Sequence, residues 1–334
     1  MENGSRRRLP RLRAAIQLGF LLWVVGIGIR FGLFINAAAH NLPAPAVSRP
    51  PGVEGFLPIG ALASLKYWLL NGTMHPVHPA ALVIFLSILL VSLVAKKSFC
   101  SWICPIGTLS DLAQRLGMRL FGRSFRIWRP LDRVLRSSKY LLLFFFIKII
   151  LLDMPKEALA AFLDTPYWAA ADIKMLTFFT AISGTTLAVL TLLVLLSLVY
   201  HQFWCRYLCP YGALLGLVSS ASPFKIRRDP SCCTGCRRCS TACPAQLTVH
   251  RSLTVFSPEC TGCLSCVASC PEQGALVMGL GNRYRHLPLW VYPSVVVVTY
   301  LGGIGLGMAS GHWHSILTYA DYQQLVPLVP FLSH

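Results

Sequence analysis

Cys233-Thr-Gly-Cys236-Arg-Arg-Cys239-Ser-Thr-Ala-Cys243-Pro244 and Cys260-Thr-Gly-Cys263-Leu-Ser-Cys266-Val-Ala-Ser-Cys270-Pro271 are two copies of one pattern, C-x2-C-x2-C-x3-C-P. Three thiolates this close in the chain hold one 4Fe-4S cube, and the fourth cysteine of each run crosses to the other cube. The expected ligand sets are therefore Cys233, Cys236, Cys239 and Cys270 for one cluster, and Cys260, Cys263, Cys266 and Cys243 for the second. Gly235 and Gly262 inside the first x2 loops let the chain curl around a cube and turn backbone N-H groups to the sulfurs. Tetrahedral zinc, the competing chemistry, favours C-x2-C pairs set further apart. The segment 219–286 is thus expected to be a small α+β domain built around two cofactors.

Four further cysteines lie upstream, in Phe99-Cys100-Ser-Trp-Ile-Cys104-Pro105 and Trp204-Cys205-Arg-Tyr-Leu-Cys209-Pro210. The two stretches match at a constant offset of 105 residues that also aligns Gly107 with Gly212 and Leu109 with Leu214. Each copy follows an apolar segment. The pattern predicts a parallel internal repeat related by an axis along a membrane normal, with both cysteine pairs at one depth. If a helix continued through the motif, cysteines four apart would share a face. Four thiolates would then suffice for a third 4Fe-4S cluster or a four-coordinate metal. Redox-active thiol pairs and buried inert cysteines are the alternatives. Cys232, directly before a ligand, reads as a spare thiol.

The surrounding chain is a membrane protein. Of 334 residues 55% are hydrophobic and only 13% charged, with a mean hydropathy of +0.59; soluble domains carry about 25% charged residues. Five segments approach the ~20 residues a spanning helix needs: 14–37, 78–94, 134–152, 185–204 and 289–308. Lys148 interrupts the third. Of the 30 Lys and Arg, 24 fall before the first span, between Lys96 and Lys139, or between Arg206 and Arg285. The positive-inside rule places all three regions in the cytoplasm. The net charge of +18 is then mostly a topology signal, and no nucleic-acid partner is expected. The first span should remain as an anchor, since no cleavage site stands out after it. Two far-side stretches, Phe56 to Leu70 and Met175 to Ile182, are suited to lie along the membrane surface.

These readings give a basic cytoplasmic leader (1–13), a four-helix membrane domain with two CxxxCP repeats (14–218), the two-cluster domain (219–286), and a fifth transmembrane helix with a periplasmic tail (287–334). No C-x-x-C-H haem motif occurs. The run from Gly302 to Gly307 reads as close helix packing through Gly303 and Gly307 rather than as a nucleotide loop.

Paired CxxxCP motifs on membrane spans, followed by a bacterial two-cluster ferredoxin segment, resemble the NapH/NosR group of membrane-bound ferredoxin-type proteins. The chain differs from the larger members, which carry an N-terminal flavin-binding domain, and adds a fifth span and a tail ending at His334. The resemblance implies an iron-sulfur electron carrier of the bacterial cytoplasmic membrane, of quinol dehydrogenase type, exchanging electrons between the quinone pool and a redox protein partner. CcoG-like proteins share the same parts, so metal reduction or metal-centre maturation is the alternative; redox sensing is a third. A quinone site needs groups that exchange protons near neutral pH. His201, with Trp102 and Trp204, is the candidate beside the CxxxCP motifs, and His40, His75, His78, His312 and His314 are the candidates on the far side.

Overall fold

A computed structural model describes residues 2–123, 125, 127–281, 288 and 290–332. The stretch 282–287 and residue 289, where the two-cluster domain was expected to end and the last span to begin, lie outside the described residues, as does His334. The chain is mostly helical: α1 (Glu2–Ala39), α2 (Pro58–Asn71), α3 (Pro79–Ala95), α4 (Pro105–Phe121), α5 (Arg129–Phe146), α6 (Lys156–Leu163), α7 (Ala171–Thr180), α8 (Gly184–Val199), α9 (Pro210–Val218), α10 (Val291–Ala309) and α11 (Tyr319–Leu328). A three-stranded antiparallel sheet in the order β2-β1-β3 joins β1 (Phe224–Arg228), β2 (Thr254–Val255) and β3 (Leu276–Leu280).

Among the described residues three helical stretches are long and apolar enough to cross a membrane: Arg8–Ala39, Pro79–Trp102 and Val291–Ala309. A fourth crossing results if α7 and α8, bent by 75° across their break, count as one span. The expected span at 134–152 is not among them. There α5 runs into a π-helical turn, Ile147–Asp153, and carries Arg133, Arg136 and Lys139 in its first part. Lys139 is fully buried while Leu141, Phe144 and Phe145 point outward, so the element turns its charge inward and an apolar face outward. Along α1, Leu22, Trp23, Ile29 and Leu33 are exposed, an outward apolar stripe that suits acyl chains and not water.

The chain forms two units of interleaved segments, 1–21, 88–143 and 189–300 in the first and 22–87, 144–188 and 301–334 in the second. The second is held by Phe31, Phe34, Ile35, Ile173, Tyr322 and Leu325. Within it Arg49 bonds Asp172 (2.8 and 3.0 Å) and Glu54 (2.8 Å). Tyr322 also donates to Asp172 (2.7 Å). The small residues of α10 pack as expected: a β-carbon on Gly303 would strike Ser87, and one on Gly307 would strike Val83. The first unit contains all thirteen cysteines and the sheet. Its largest fully buried side chains include Trp102 and Tyr292, whose rings meet edge to face with centroids 6.4 Å apart.

Candidate functional site

In the sheet-bearing segment, β1 pairs with β3 from Phe224↔Leu280 to Arg228↔Leu276, so the strands that flank the two cysteine runs close into one frame. Two cavities open beside that frame. One is lined by Cys233, Cys236, Cys239 and Cys270 together with Arg228, Arg237 and His250. The other is lined by Cys243, Cys260, Cys263 and Cys266 with Ile226, Leu247 and Val255. Each cavity thus gathers three cysteines from one run and the fourth from the other. Gly235 and Gly262 adopt φ of +71° and +60°, the left-handed turn that brings their N-H groups towards the preceding thiols. Four thiols around each cavity, three from one run and the fourth from the other, are the donor set of a 4Fe-4S cube. The residues present therefore fit 4Fe-4S clusters.

The two rims differ in electrostatics. The Gly235 N-H, followed by Arg228, holds the Cys233 thiol below its ordinary value, while burial raises Cys239 on the same rim. Burial, reinforced by Cys263, pushes Cys243 up to about 12, and burial raises Cys260 and Cys266 as well. Cys236 is exposed while Cys266 is buried, so the first cavity lies nearer solvent.

The CxxxCP motifs are built differently from the expected continuous helix. Cys104 (φ −61°, ψ 123°) and Cys209 (φ −76°, ψ 104°) are extended and cap the helices that begin at Pro105 and Pro210. A residue before proline is driven out of the α region by the ring's Cδ, so the same-face argument does not apply. The first motif sits on one helical turn, Phe99–Trp102, and the second on a π-helical turn, Trp204–Leu208. Tertiary packing still assembles the four thiols: Cys104 lies within electrostatic reach of Cys100, Cys205 and Cys209. The Gly212 N-H donates to Cys209 Sγ (3.2 Å), and Ser110 Oγ lies 3.7 Å from Cys205 Sγ.

Two buried carboxylates that sequence reasoning missed pin these turns. Asp111 accepts from Arg13, from Gln17 (2.9 Å) and from Gln202 (2.5 Å), while Arg13 and Gln17 also bond the Ser101 carbonyl (3.1 and 3.0 Å). Asp132 takes a two-pronged pair from Arg206 (2.9 and 3.0 Å) and the Tyr207 hydroxyl (2.6 Å). In a chain with only 12 Asp and Glu, a carboxylate next to an apolar segment was the signal for both. The first motif also touches the loop of the second cavity. Ser101 Oγ donates to the Thr261 carbonyl (2.8 Å) and Trp102 Nε1 to that of Gly262 (3.2 Å).

Of the histidines, His201 is half-buried with Nε2 2.5 Å from Gln114 Nε2. His78 is engaged at both ring nitrogens, near Glu54 (3.3 Å) and Arg49 (3.4 Å) on one side and the Trp168 carbonyl (2.9 Å) on the other. His75 pairs with Asp164 (3.2 Å). His40, His312 and His314 are exposed. Cys232 is exposed beside Ser231.

Membrane-crossing helices, a small sheet framing eight cysteines and paired CxxxCP turns define a membrane protein of the 4Fe-4S ferredoxin type. The 4Fe-4S dicluster domain matches residues 225–271, and a 4Fe-4S binding domain matches twice, at 77–125 and 182–229. Over 333 residues, 98% of this chain and 93% of the relative, the chain is 42% identical to YccM of Escherichia coli K12, named for electron transport. It is 29% identical to the ferredoxin-type protein NapH of the same organism over 46% of this chain and 50% of that protein. With the regulatory protein NosR of Pseudomonas aeruginosa it shares 29% identity over 44% of this chain and 20% of NosR. The chain belongs to this family of iron-sulfur electron transport proteins, with YccM, NapH and NosR among its members. No solved structure matches it.

Proposed function

We propose that the protein carries electrons between the quinone pool and a redox protein partner across the cytoplasmic face of the bacterial inner membrane. Cys233, Cys236, Cys239 and Cys270 would hold one 4Fe-4S cluster, Cys260, Cys263, Cys266 and Cys243 a second, and Cys100, Cys104, Cys205 and Cys209 a third. When bound, such clusters supply one-electron chemistry at potentials set by burial, charge and hydrogen bonds to sulfur. The protein's own part is to order the three sites. The observation that carries the reading is the pair of bonds from Ser101 and Trp102 to the Thr261 and Gly262 carbonyls, because Ser101 follows Cys100 and Thr261 follows Cys260. Two candidate ligands of different centres are thereby tied through adjacent backbone, with the exposed Cys236 at the outer end for a partner. The double match of one domain, beginning 105 residues apart, supports the parallel repeat.

In this reading five spans cross the membrane, the segment 134–152 included, with the N-terminus and the cysteines cytoplasmic and the tail periplasmic. His201 is the favoured quinone-side proton carrier, because it stands four residues before Cys205 and on the side of the membrane where electrons would enter the first cluster. Anaerobic purification with iron, sulfide and EPR analysis tests the cluster assignment: stoichiometric zinc without acid-labile sulfide defeats it. His201→Ala should slow quinol-dependent reduction and leave dithionite reduction intact. Wild-type quinol kinetics in that variant, with a loss on changing His75 or His78, would move the quinone to the far side.

A further inference from the structure

Lys96, Lys97 and Lys139 retain 0, 4 and 0% of their surface exposed, and three ammonium groups buried in one unit need an explanation. Removing a single charge from water costs several kcal/mol unless an opposite charge or a full set of hydrogen bonds compensates it. Lys96 Nζ donates to the Val255 carbonyl (3.1 Å). Lys139 pairs with Glu259 (2.6 Å), whose other oxygen accepts from Tyr140 (2.8 Å). Lys97 shares the Glu259 carboxylate with Lys139, and it stands at the CxxxCP thiols. Its Nζ lies 3.4 Å, and Cys209 Sγ 3.5 Å, from the point where a β-carbon on Gly212 would sit. The charged groups acting on Cys100 besides the neighbouring Cys209 are Lys97, Lys139 and Glu259, and on Cys205 the charged side chain is Lys97. Two cations thus face the four cysteines with one carboxylate between them.

Neutral thiols or disulfides would leave that excess positive charge uncompensated. Four thiolates around an iron-sulfur core form a net negative centre that becomes more negative on reduction, so a fixed cation beside it stabilises the reduced form more than the oxidised one. The repeat sharpens the point, because the residue 105 positions after Lys97 is Gln202, which spends its amide on Asp111 (2.5 Å). The charge comes from one copy alone.

We propose that Lys97, with Lys139 behind it, is the built-in counter-charge of an anionic centre held by Cys100, Cys104, Cys205 and Cys209, and raises the reduction potential of that centre. This rests on the reading that those four thiols hold a cluster. Lys97 acts through the thiolates and is a positioning charge, not a catalytic residue.

The test is an EPR-monitored redox titration of the full chain, purified anaerobically in detergent. The relevant signal is the one lost in Cys100→Ser with Cys205→Ser. Lys97→Gln, which installs the second copy's own side chain, should make reduction at least tenfold less favourable, about 59 mV for a one-electron couple. Lys97→Arg should keep the wild-type potential, and the signal of the Cys233–Cys270 site should not move in either variant. Should the K97Q centre fail to assemble, Lys139→Gln carries the same test and must also lower the potential, since it removes one of the two cations facing the cysteines while the Glu259 carboxylate stays. An unchanged midpoint in the assembled variant overturns the inference while leaving the third centre standing. Absence of any third signal in the wild type overturns both.

Discussion

Gly107 and Gly212 hold the same place in the two repeats, two residues after the proline that closes each CxxxCP, yet replacing them by alanine should have opposite consequences. A β-carbon on Gly107 would lie 2.0 Å from the Cys100 carbonyl oxygen, and real β-carbons do not come within 3.0 Å of a heavy atom. The obstacle is backbone, so α4 must withdraw from the Cys100 turn by about 1 Å. Overpacking of this kind costs about 1–3 kcal/mol, of which the better helix propensity of alanine returns roughly 0.5–1 kcal/mol. On Gly212 the nearest atoms would be Lys97 Nζ at 3.4 Å and Cys209 Sγ at 3.5 Å, ordinary contacts that leave the propensity gain intact. Gly107→Ala should therefore lower the melting temperature by several degrees, at about 2–4 °C per kcal/mol for domains of 150–250 residues, while Gly212→Ala keeps or raises it. Thermal unfolding in detergent, followed by tryptophan fluorescence, measures the difference. Iron per chain measured on the same samples should fall only for Gly107→Ala, because the withdrawn helix carries the Cys104 cap with it. Equal losses in both variants, or a wild-type melting temperature in Gly107→Ala, would refute the reasoning.

Asp132→Ala strips Arg206, 7% exposed, of its carboxylate partner and leaves it only the neutral Gln246 side-chain oxygen (3.4 Å); breaking a buried ion pair costs about 3–5 kcal/mol, so the thermal transition should drop sharply and the second CxxxCP turn should become protease-sensitive. In apo-protein at pH 8, Cys233, held low by the Gly235 N-H and Arg228, should alkylate before Cys243, which burial pushes up to about 12; the lower value means more thiolate at that pH, and peptide mapping over time gives the order. Cys100→Ser combined with Cys205→Ser should lower iron content and leave the EPR signals of the 225–271 segment, and unchanged iron would return these cysteines to a thiol or structural role. A cysteine introduced at Gly311 should react with impermeant reagents from outside the cytoplasm, and labelling only after the membrane is opened would invert the topology.

Motifs carried by short loops are legible in the sequence. Spacing of two and three residues around tight glycine turns leaves a chain few ways to present its thiols, so the two cysteine runs and the turns at Gly235 and Gly262 follow from it directly. Long apolar runs are legible for a similar reason, since hydrophobic length is a property of the chain itself; Arg8–Ala39, Pro79–Trp102 and Val291–Ala309 lie where hydropathy puts them. The segment 134–152 is harder, because apolar content alone does not tell that its charge at Lys139 turns inward and an apolar face outward.

What the sequence determined by itself was local: cysteine spacing, the membrane character of the chain, and the recurrence of CxxxCP. Only the tertiary structure decided that Cys104 and Cys209 are extended caps and that Trp102 reaches the Gly262 carbonyl. The same holds for Asp111 and Asp132 gripping the two turns, and for Lys97 standing beside Cys209. Each of these contacts joins residues separated by tens of positions or more, or turns on a proline redirecting the chain. Which distant polar groups meet is fixed by the requirement that every buried charge and backbone donor find a partner, and that requirement is satisfied by the whole packing at once and by no single stretch of sequence.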